Sequence, residues 1–232
     1  MNNPITVGSS TEISESNFIS KVFLWMALGL AVSAGASLWL LSQPELFKTI
    51  VSNRVIFFGL FVVELGLVFW LSAAALRMSA ALATALFFGY SFLNGVTLAP
   101  IFVVYTGSSI ASTFAVAAGT FFFFSLYGLT TKKDLTSIGS LAIMALFGII
   151  LTSLVNLFLK NSTLNWILNF IGIAVFLGLI AYDTQKLKAI HAAGFQEAEM
   201  RKKMTILGAL ALYLDFINLF LLLLQFFGKR RD

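Results

Sequence analysis

Residues 204–227 read MTILGALALYLDFINLFLLLLQFF, a run that is apolar almost throughout and holds one charged side chain, Asp215. A hydrocarbon core of about 30 Å needs about 20 apolar residues in a helix, so this run is long enough to cross a membrane. A carboxylate near the middle of such a helix costs roughly 3 kcal/mol on insertion scales, and such groups usually face a protein interior or a wet cavity. Asp215 is therefore predicted to act on ions or protons. The alternative is a protonated, hydrogen-bonded packing residue.

The whole chain has the composition of an integral membrane protein. Of its 232 residues, 59% are hydrophobic and 11% are charged, whereas an average soluble domain carries about 25% charged residues. The net charge of +5 does not indicate nucleic-acid binding, because the basic residues lie in short segments between apolar runs. Cysteine is absent, which excludes a disulfide framework and thiolate chemistry.

Seven apolar runs are long enough to span a bilayer as helices, and the short links between them make neighbouring helices antiparallel. The predicted spans are residues 22–41, 55–76, 80–104, 110–129, 138–159, 164–182 and 204–227. The sequence therefore predicts an all-α integral membrane protein, with one seven-helix membrane domain over residues 21–232. Residues 1–20 are polar and lack the features of a cleaved signal peptide, so a mobile N-terminal tail is expected.

The distribution of basic residues predicts the orientation. Seven spans place nine basic residues on the side of the N-terminus and six on the other side. Because basic loops are enriched in the cytoplasm, the N-terminus is predicted inside and the C-terminus outside a cell (inner) membrane. The basic residues 229–231 then lie outside, against the rule, which leaves an even-span alternative open, for example a re-entrant final segment.

The third predicted span is interrupted by Asn94, Gly95 and Pro100. Proline removes a backbone donor and kinks a helix. In a membrane the freed backbone groups need protein or water partners. The bend is either a packing kink or a feature that shapes a cavity.

Three acidic residues lie within or at the edge of the spans, namely Glu64, Asp183 and Asp215, and no Lys or Arg lies deep in a span. Such an interior suits cations or protons better than anions. Two buried carboxyl groups that lie close together share a proton and titrate as a unit, which would form a pH-sensitive latch. Asn218 follows Asp215 by three residues on the same helix face. It is predicted to hold a helix contact by hydrogen bonding and to support the ion pathway or its gating.

Depth is an obstacle to a pair between Asp183 and Asp215. Asp183 lies three residues from Lys186 and Asp215 twelve residues from Lys203, so their depths differ by roughly 13 Å along the helices. A pair then requires the sixth helix to continue beyond the membrane edge, a strong tilt, or a wet vestibule.

Enzyme chemistry finds little support in the sequence. The single histidine, His191, lies outside the predicted spans, so an intramembrane Ser–His protease or a His-ligated zinc site lacks its essential residue. No Gly-rich phosphate loop is present, and no cofactor is expected.

Three motifs together resemble the Bax inhibitor-1 family, also called the transmembrane Bax inhibitor motif family. They are NGVTLAP at 94–100, YDTQ at 182–185 and, most specifically, ALYLDFINLF at 211–220. The short N-terminal tail and the short loops are similar to those of the bacterial branch of this family. The resemblance implies a seventh helix enclosed by the other six.

The resemblance also implies a pH-sensitive calcium leak. In the family, the aspartates that match Asp183 and Asp215 form a hydrogen-bonded pair that senses pH, with Ca²⁺ as the permeating ion, in transient contact, rather than as a fixed metal. Glu64 and Arg77 match positions that take part in gating contacts. Gln225 stands where some relatives carry an Arg, so a latch between that position and Glu64 is not available in that form.

Two other functions remain open. Some bacterial members associate with a membrane-bound ATP-dependent protease, so the chain could be an interaction protein that modulates it; deletion of residues 1–20 should then abolish association and spare ion flux. A proton-coupled small-solute transporter would show saturable solute uptake, but an inverted repeat of broken helices is not evident.

Overall fold

The computed structural model describes the backbone of residues 6–195 and 197–231, with side chains from Asn17 onward. These residues form nine α-helices and, apart from an isolated bridge between Tyr105 and Arg230, no β-structure. The predicted all-α fold is confirmed. The helices are α1 Thr6–Leu41, α2 Pro44–Ser52, α3 Arg54–Ala74, α4 Ala80–Leu98, α5 Ile101–Val104, α6 Gly107–Thr130, α7 Thr136–Leu159, α8 Ser162–Ala192 and α9 Ala198–Phe227.

Seven helical segments of the described chain are long and apolar enough to cross a membrane, which confirms the predicted number. They are Asn17–Leu41, Arg54–Ala74, Ala80–Val104, Gly107–Thr130, Thr136–Leu159, Ser162–Ala192 and Ala198–Phe227. The third segment contains α4 and α5, which are separated at Ala99 and Pro100. The helix is therefore interrupted where Pro100 was expected to bend it.

One predicted boundary needs correction, and one helix was missed. The sixth span was predicted to end at residue 182, but α8 continues to Ala192. A further helix, α2, was not predicted; it is too short to span a bilayer and lies between the first two spans. Its residues Phe47 and Ile50 pack against a small apolar cluster that contains Leu40.

The predicted N-terminal tail, residues 1–20, is described only in part. Residues 6–20 belong to α1, whereas residues 1–5 lie outside the described residues. The mobility of this segment stays a prediction.

The chain divides into two compact units, residues Met1–Val103 with Ala189–Tyr213, and residues Val104–Lys188 with Leu214–Asp232. In the first unit α1 packs closely on α4. Gly95 touches the backbone of Ser33, and the Ser37 hydroxyl donates to the Gly95 carbonyl at 2.6 Å. The close approach depends on glycine, because a Cβ at position 95 would overlap the Ser33 backbone.

In the second unit, glycines on α6 and α7 allow α8 to approach closely. Gly128 lies against the carbonyl of Ala181, and Gly139 lies against the ring of Tyr182. The second half of α9 contributes Phe216, whose ring meets the rings of α6 residues edge to face. Ala181 and Tyr182 of α8, which directly precede Asp183, are thus held against α6 and α7.

The seventh span is the most buried of the seven. In its most apolar stretch 67% of the residues are buried, against 11% in the second and fifth spans. Enclosure of this helix by the other six stays a prediction. α9 is a continuous helix of 30 residues, so a re-entrant final segment is not found in the described chain.

The segment after α9 pairs with the segment after α5. The amide of Thr106 donates to the Lys229 carbonyl at 3.1 Å, and the amide of Arg231 donates to the Val104 carbonyl at 2.9 Å. The C-terminal basic residues therefore lie beside the link between the third and fourth spans. Which side of the membrane this is stays a prediction.

Candidate functional site

The second unit brings Asp183 of α8 and Asp215 of α9 together. Their carboxyl groups lie within hydrogen-bonding reach of each other. Asp215 is 5% exposed, and its Oδ2 is buried without a hydrogen-bond partner among the described residues. Two carboxyl groups can form a hydrogen bond only when a proton lies between them, because a carboxylate has no donor of its own. The arrangement can therefore hold or release one proton.

The extension of α8 removes the depth obstacle to this pair. Asp183 lies nine residues before the end of α8 at Ala192 and is half-buried inside a continuous helix. Lys186, one turn further along α8, attracts Asp183 electrostatically and lies 5.9 Å from the ring centroid of Tyr182. Lys186 is exposed to solvent. The ionisable neighbour of the buried Asp215 is therefore the acid Asp183 and not a base.

Gln185, two residues after Asp183, links the same turn of α8 to the segment between α6 and α7. Its amide oxygen accepts from the Leu135 amide at 2.9 Å, and its amide nitrogen donates to the Lys133 carbonyl at 2.8 Å. Together with the contact of Tyr182 on Gly139, these bonds restrain the backbone on both sides of Asp183. The YDTQ motif is thus a positioning element for one carboxyl group.

The first unit contains a separate polar network around Glu64. Glu64 and Leu71 are the buried residues of α3, so Glu64 points to the protein side of a helix that is otherwise largely exposed. Its Oε1 accepts from the Thr97 hydroxyl at 2.8 Å, and its Oε2 accepts from the Asn94 amide at 3.3 Å. Among the described residues no basic side chain contacts this carboxyl group.

The network continues to α9 and α1 through Tyr213, a fully buried residue. The Tyr213 hydroxyl donates to Asn94 Oδ1 at 2.9 Å and lies 2.7 Å from the Ser33 hydroxyl. Because the phenol donates its one proton to Asn94, it offers only a lone pair to Ser33, whose single hydroxyl proton also faces the Ser91 carbonyl at 2.7 Å. A line of side-chain hydrogen bonds therefore links α1, α9, α4 and α3 within the first unit.

Two other predicted residues are not brought into these clusters. Arg77 is exposed in the turn after α3, and the end of that helix at Ala74 already lies about 15 Å of helix rise from Glu64. Asn218 is half-buried and donates to the Leu214 carbonyl of its own helix at 2.8 Å. Gln225 is exposed. A role of Arg77 or Asn218 in gating stays a prediction.

Comparison with known proteins places these features in a family. The family model described as "Inhibitor of apoptosis-promoting Bax1" matches residues 15–232. The chain belongs to the Bax inhibitor-1 family. It is 48% identical over 215 residues to the inner membrane protein YbhL of Escherichia coli K12, covering 92% of each chain. It is 44% identical to an uncharacterized protein of Borreliella burgdorferi over 94% of each chain, and 33% identical to an uncharacterized membrane protein of Streptococcus pyogenes serotype M1 over 98% of this chain and 99% of the relative.

Like YbhL by its name, this Bax inhibitor-1 family protein is a membrane protein, and its seven apolar helices make it multi-pass. None of the three relatives' names designates an enzyme. Among the described residues no group of three or more His, Cys, Asp or Glu side chains could hold a metal ion.

Several residues that build these sites in this family member were not singled out from the sequence. Ser33 and the glycines at 128 and 139 carry no charge and interrupt no pattern. Small residues four apart, such as Ser33 and Ser37, are a signal for close helix packing in membranes. That signal would have marked α1 as a packing helix, but it would not have named its partner.

Proposed function

We propose that this protein is a pH-sensitive calcium leak channel of the inner membrane, regulated by one proton shared between Asp183 and Asp215. The observation that carries the proposal is the pair itself: two carboxyl groups within hydrogen-bonding reach, one of them buried and with an unpartnered oxygen. Ionisable groups inside membrane spans are rare and mark ion or proton paths.

The proposed switch acts at the contact of α8 with α9. While one proton is shared, the carboxyl–carboxylate hydrogen bond ties the two helices together. When that proton leaves, two negative charges face each other in a poorly solvated place, and their repulsion favours separation. Because Gln185 and Tyr182 restrain α8 against the α6–α7 link and α7, the separation would be taken up by the second half of α9.

The carboxyl oxygens of the pair, beside which the basic residue Lys186 is exposed to solvent, favour a hard cation as the permeating ion. Hard cations such as Ca²⁺ prefer carboxylate and carbonyl ligands. A pair that has released its proton presents two carboxylates to such an ion. Deprotonation would thus loosen the helix contact and provide a transient ligand for Ca²⁺ in one step.

The test is Ca²⁺ flux into proteoliposomes over a pH series from mildly acidic to mildly alkaline. Asp183→Asn and Asp215→Asn should each flatten the same pH response, since an amide can hydrogen-bond but cannot titrate. The double variant should be no worse than either single one, because the two groups act as one unit. Asp134→Asn, at an exposed carboxylate outside the spans, is the matched control and should keep the wild-type response. An unchanged pH response in both single variants would contradict the switch.

A further inference from the structure

A cavity of about 1010 Å³ lies in the first unit, apart from both polar clusters described above. Its walls come from the beginning of the first, third and seventh spans. Odd-numbered spans begin on the same side of a membrane, so the cavity lies at one membrane–water boundary. This is the depth at which lipid headgroups are found.

The cavity is basic at its polar end. Lys21, Arg201 and Lys202 line it, and each precedes the continuous apolar part of its helix by one to three residues. The one acidic residue of the lining, Glu199, is already engaged: its Oε1 accepts from the Ala80 amide at 2.6 Å, at the first residue of α4. Three positive charges and one committed carboxylate leave the cavity with an excess of positive charge.

The other end of the cavity is apolar. Trp25 and Ile206 line it, four residues beyond Lys21 and Lys202 respectively, hence about one helical turn deeper in the membrane. A ligand that fills the cavity would therefore meet basic side chains at the membrane surface and an aromatic or aliphatic wall below. This polarity matches a phospholipid, whose phosphate and acyl chains are separated in the same direction.

We propose that this cavity binds the phosphate group of an anionic phospholipid, with Lys21, Arg201 and Lys202 as its partners. Basic pockets between transmembrane helices are places where acidic lipid headgroups bind. The site joins α1, α4 and α9, so a bound lipid would hold the beginning of the seventh span against two other helices. The proposal is independent of ion conduction, because it concerns the first unit and none of the residues of the aspartate pair.

The experiment measures lipid binding by native mass spectrometry of the full-length protein in detergent, titrated with phosphatidylglycerol or phosphatidylcholine. The wild-type protein should bind phosphatidylglycerol more tightly than phosphatidylcholine. Lys21→Gln with Lys202→Gln should weaken that binding by about 30-fold, since each basic residue at a membrane surface contributes roughly a fivefold factor. The matched control is Lys132→Gln with Lys133→Gln, two exposed lysines of the α6–α7 link that precede an odd-numbered span and so lie on the same membrane side. Its affinity should remain that of wild type.

Three further results decide the proposal. Lys21→Arg with Lys202→Arg keeps the charge and should restore binding, which also answers the case in which the glutamine variant fails to fold. Glycerol 3-phosphate at the same concentrations should bind far more weakly than the lipid; equal binding would overturn the lipid as the source of the phosphate. Equal affinity of the wild-type protein for phosphatidylcholine and phosphatidylglycerol would overturn the site. An equal loss of phosphatidylglycerol affinity in the two double glutamine variants would also overturn it.

Discussion

Replacement of Gly95 by alanine should loosen the contact of α1 with α4. The added Cβ would lie 2.7 Å from Ser33 Cα and 2.8 Å from Ala36 Cβ, and it would overlap the Ser33 carbonyl oxygen. The first of these distances falls 0.7 Å short of the 3.4 Å at which ordinary contact begins. Two of the three neighbouring atoms are backbone, so side-chain rotation cannot relieve the overlap, and the helices must move apart.

The cost follows from what that movement disrupts. Overpacking of this kind costs about 1–3 kcal/mol. The Ser37 hydroxyl donates to the Gly95 carbonyl at 2.6 Å, and the Ser33 hydroxyl contacts the Ser91 carbonyl at 2.7 Å; a hydrogen bond between membrane helices contributes about 0.6 kcal/mol on average. Alanine regains up to about 1 kcal/mol in helix propensity over glycine. The net loss in free energy of unfolding is therefore about 1–3 kcal/mol.

The matched control is Gly89→Ala on the same helix. No atom lies within 4 Å of a Cβ at position 89, so the propensity gain acts alone and stability should be unchanged or slightly higher. Thermal unfolding of both variants in the same detergent separates the two cases. At roughly 2–4 °C per kcal/mol for a chain of this size, the midpoint should fall by several degrees for Gly95→Ala alone. Equal midpoints for the two variants would refute the packing argument.

Three more predictions can be checked with the same preparations. Glu64→Gln should leave the fold intact and alter flux modestly, because the Thr97 hydroxyl can reverse and accept from the new amide; loss of folded protein would make the carboxyl group structural. The Thr136 hydroxyl and amide hold the pKa of Asp134 below its ordinary value of 3.8. The carboxylate therefore stabilises the folded state at pH values above the pKa of the unfolded state, and this stabilisation is lost as the pH falls through the lower pKa of the folded state. Thr136→Ala should raise that pKa toward 3.8 and reduce this acid-side loss, as measured by NMR titration; an unchanged pKa would contradict the assignment. A reporter fused after Asp232 should read as extracytoplasmic, and a cytoplasmic signal would be incompatible with seven spans and an inside N-terminus.

The extension of α8 shows where reasoning from hydropathy stops. Residues 183–192 are mostly polar, so the apolar run ends at Tyr182 and a span was predicted to end there. The helix nevertheless continues, with Leu187 buried at 4% exposure and Gln185 bonded to the α6–α7 link. Hydropathy measures transfer into lipid, whereas continuation of a helix at the membrane edge depends on the partners that its next turns find.

The number of spans, the break at Pro100 and the identity of the intramembrane acids could be determined from the sequence alone. These features follow from local quantities: the thickness of the hydrocarbon core, the rise of a helix, and the cost of an unpaired polar group in lipid. Only the tertiary structure decided that Asp183 meets Asp215 and that Glu64 meets Asn94 rather than Arg77. Those pairings depend on the rotation and close approach of helices, which a few small residues such as Gly128 set through contacts with residues far away in the chain.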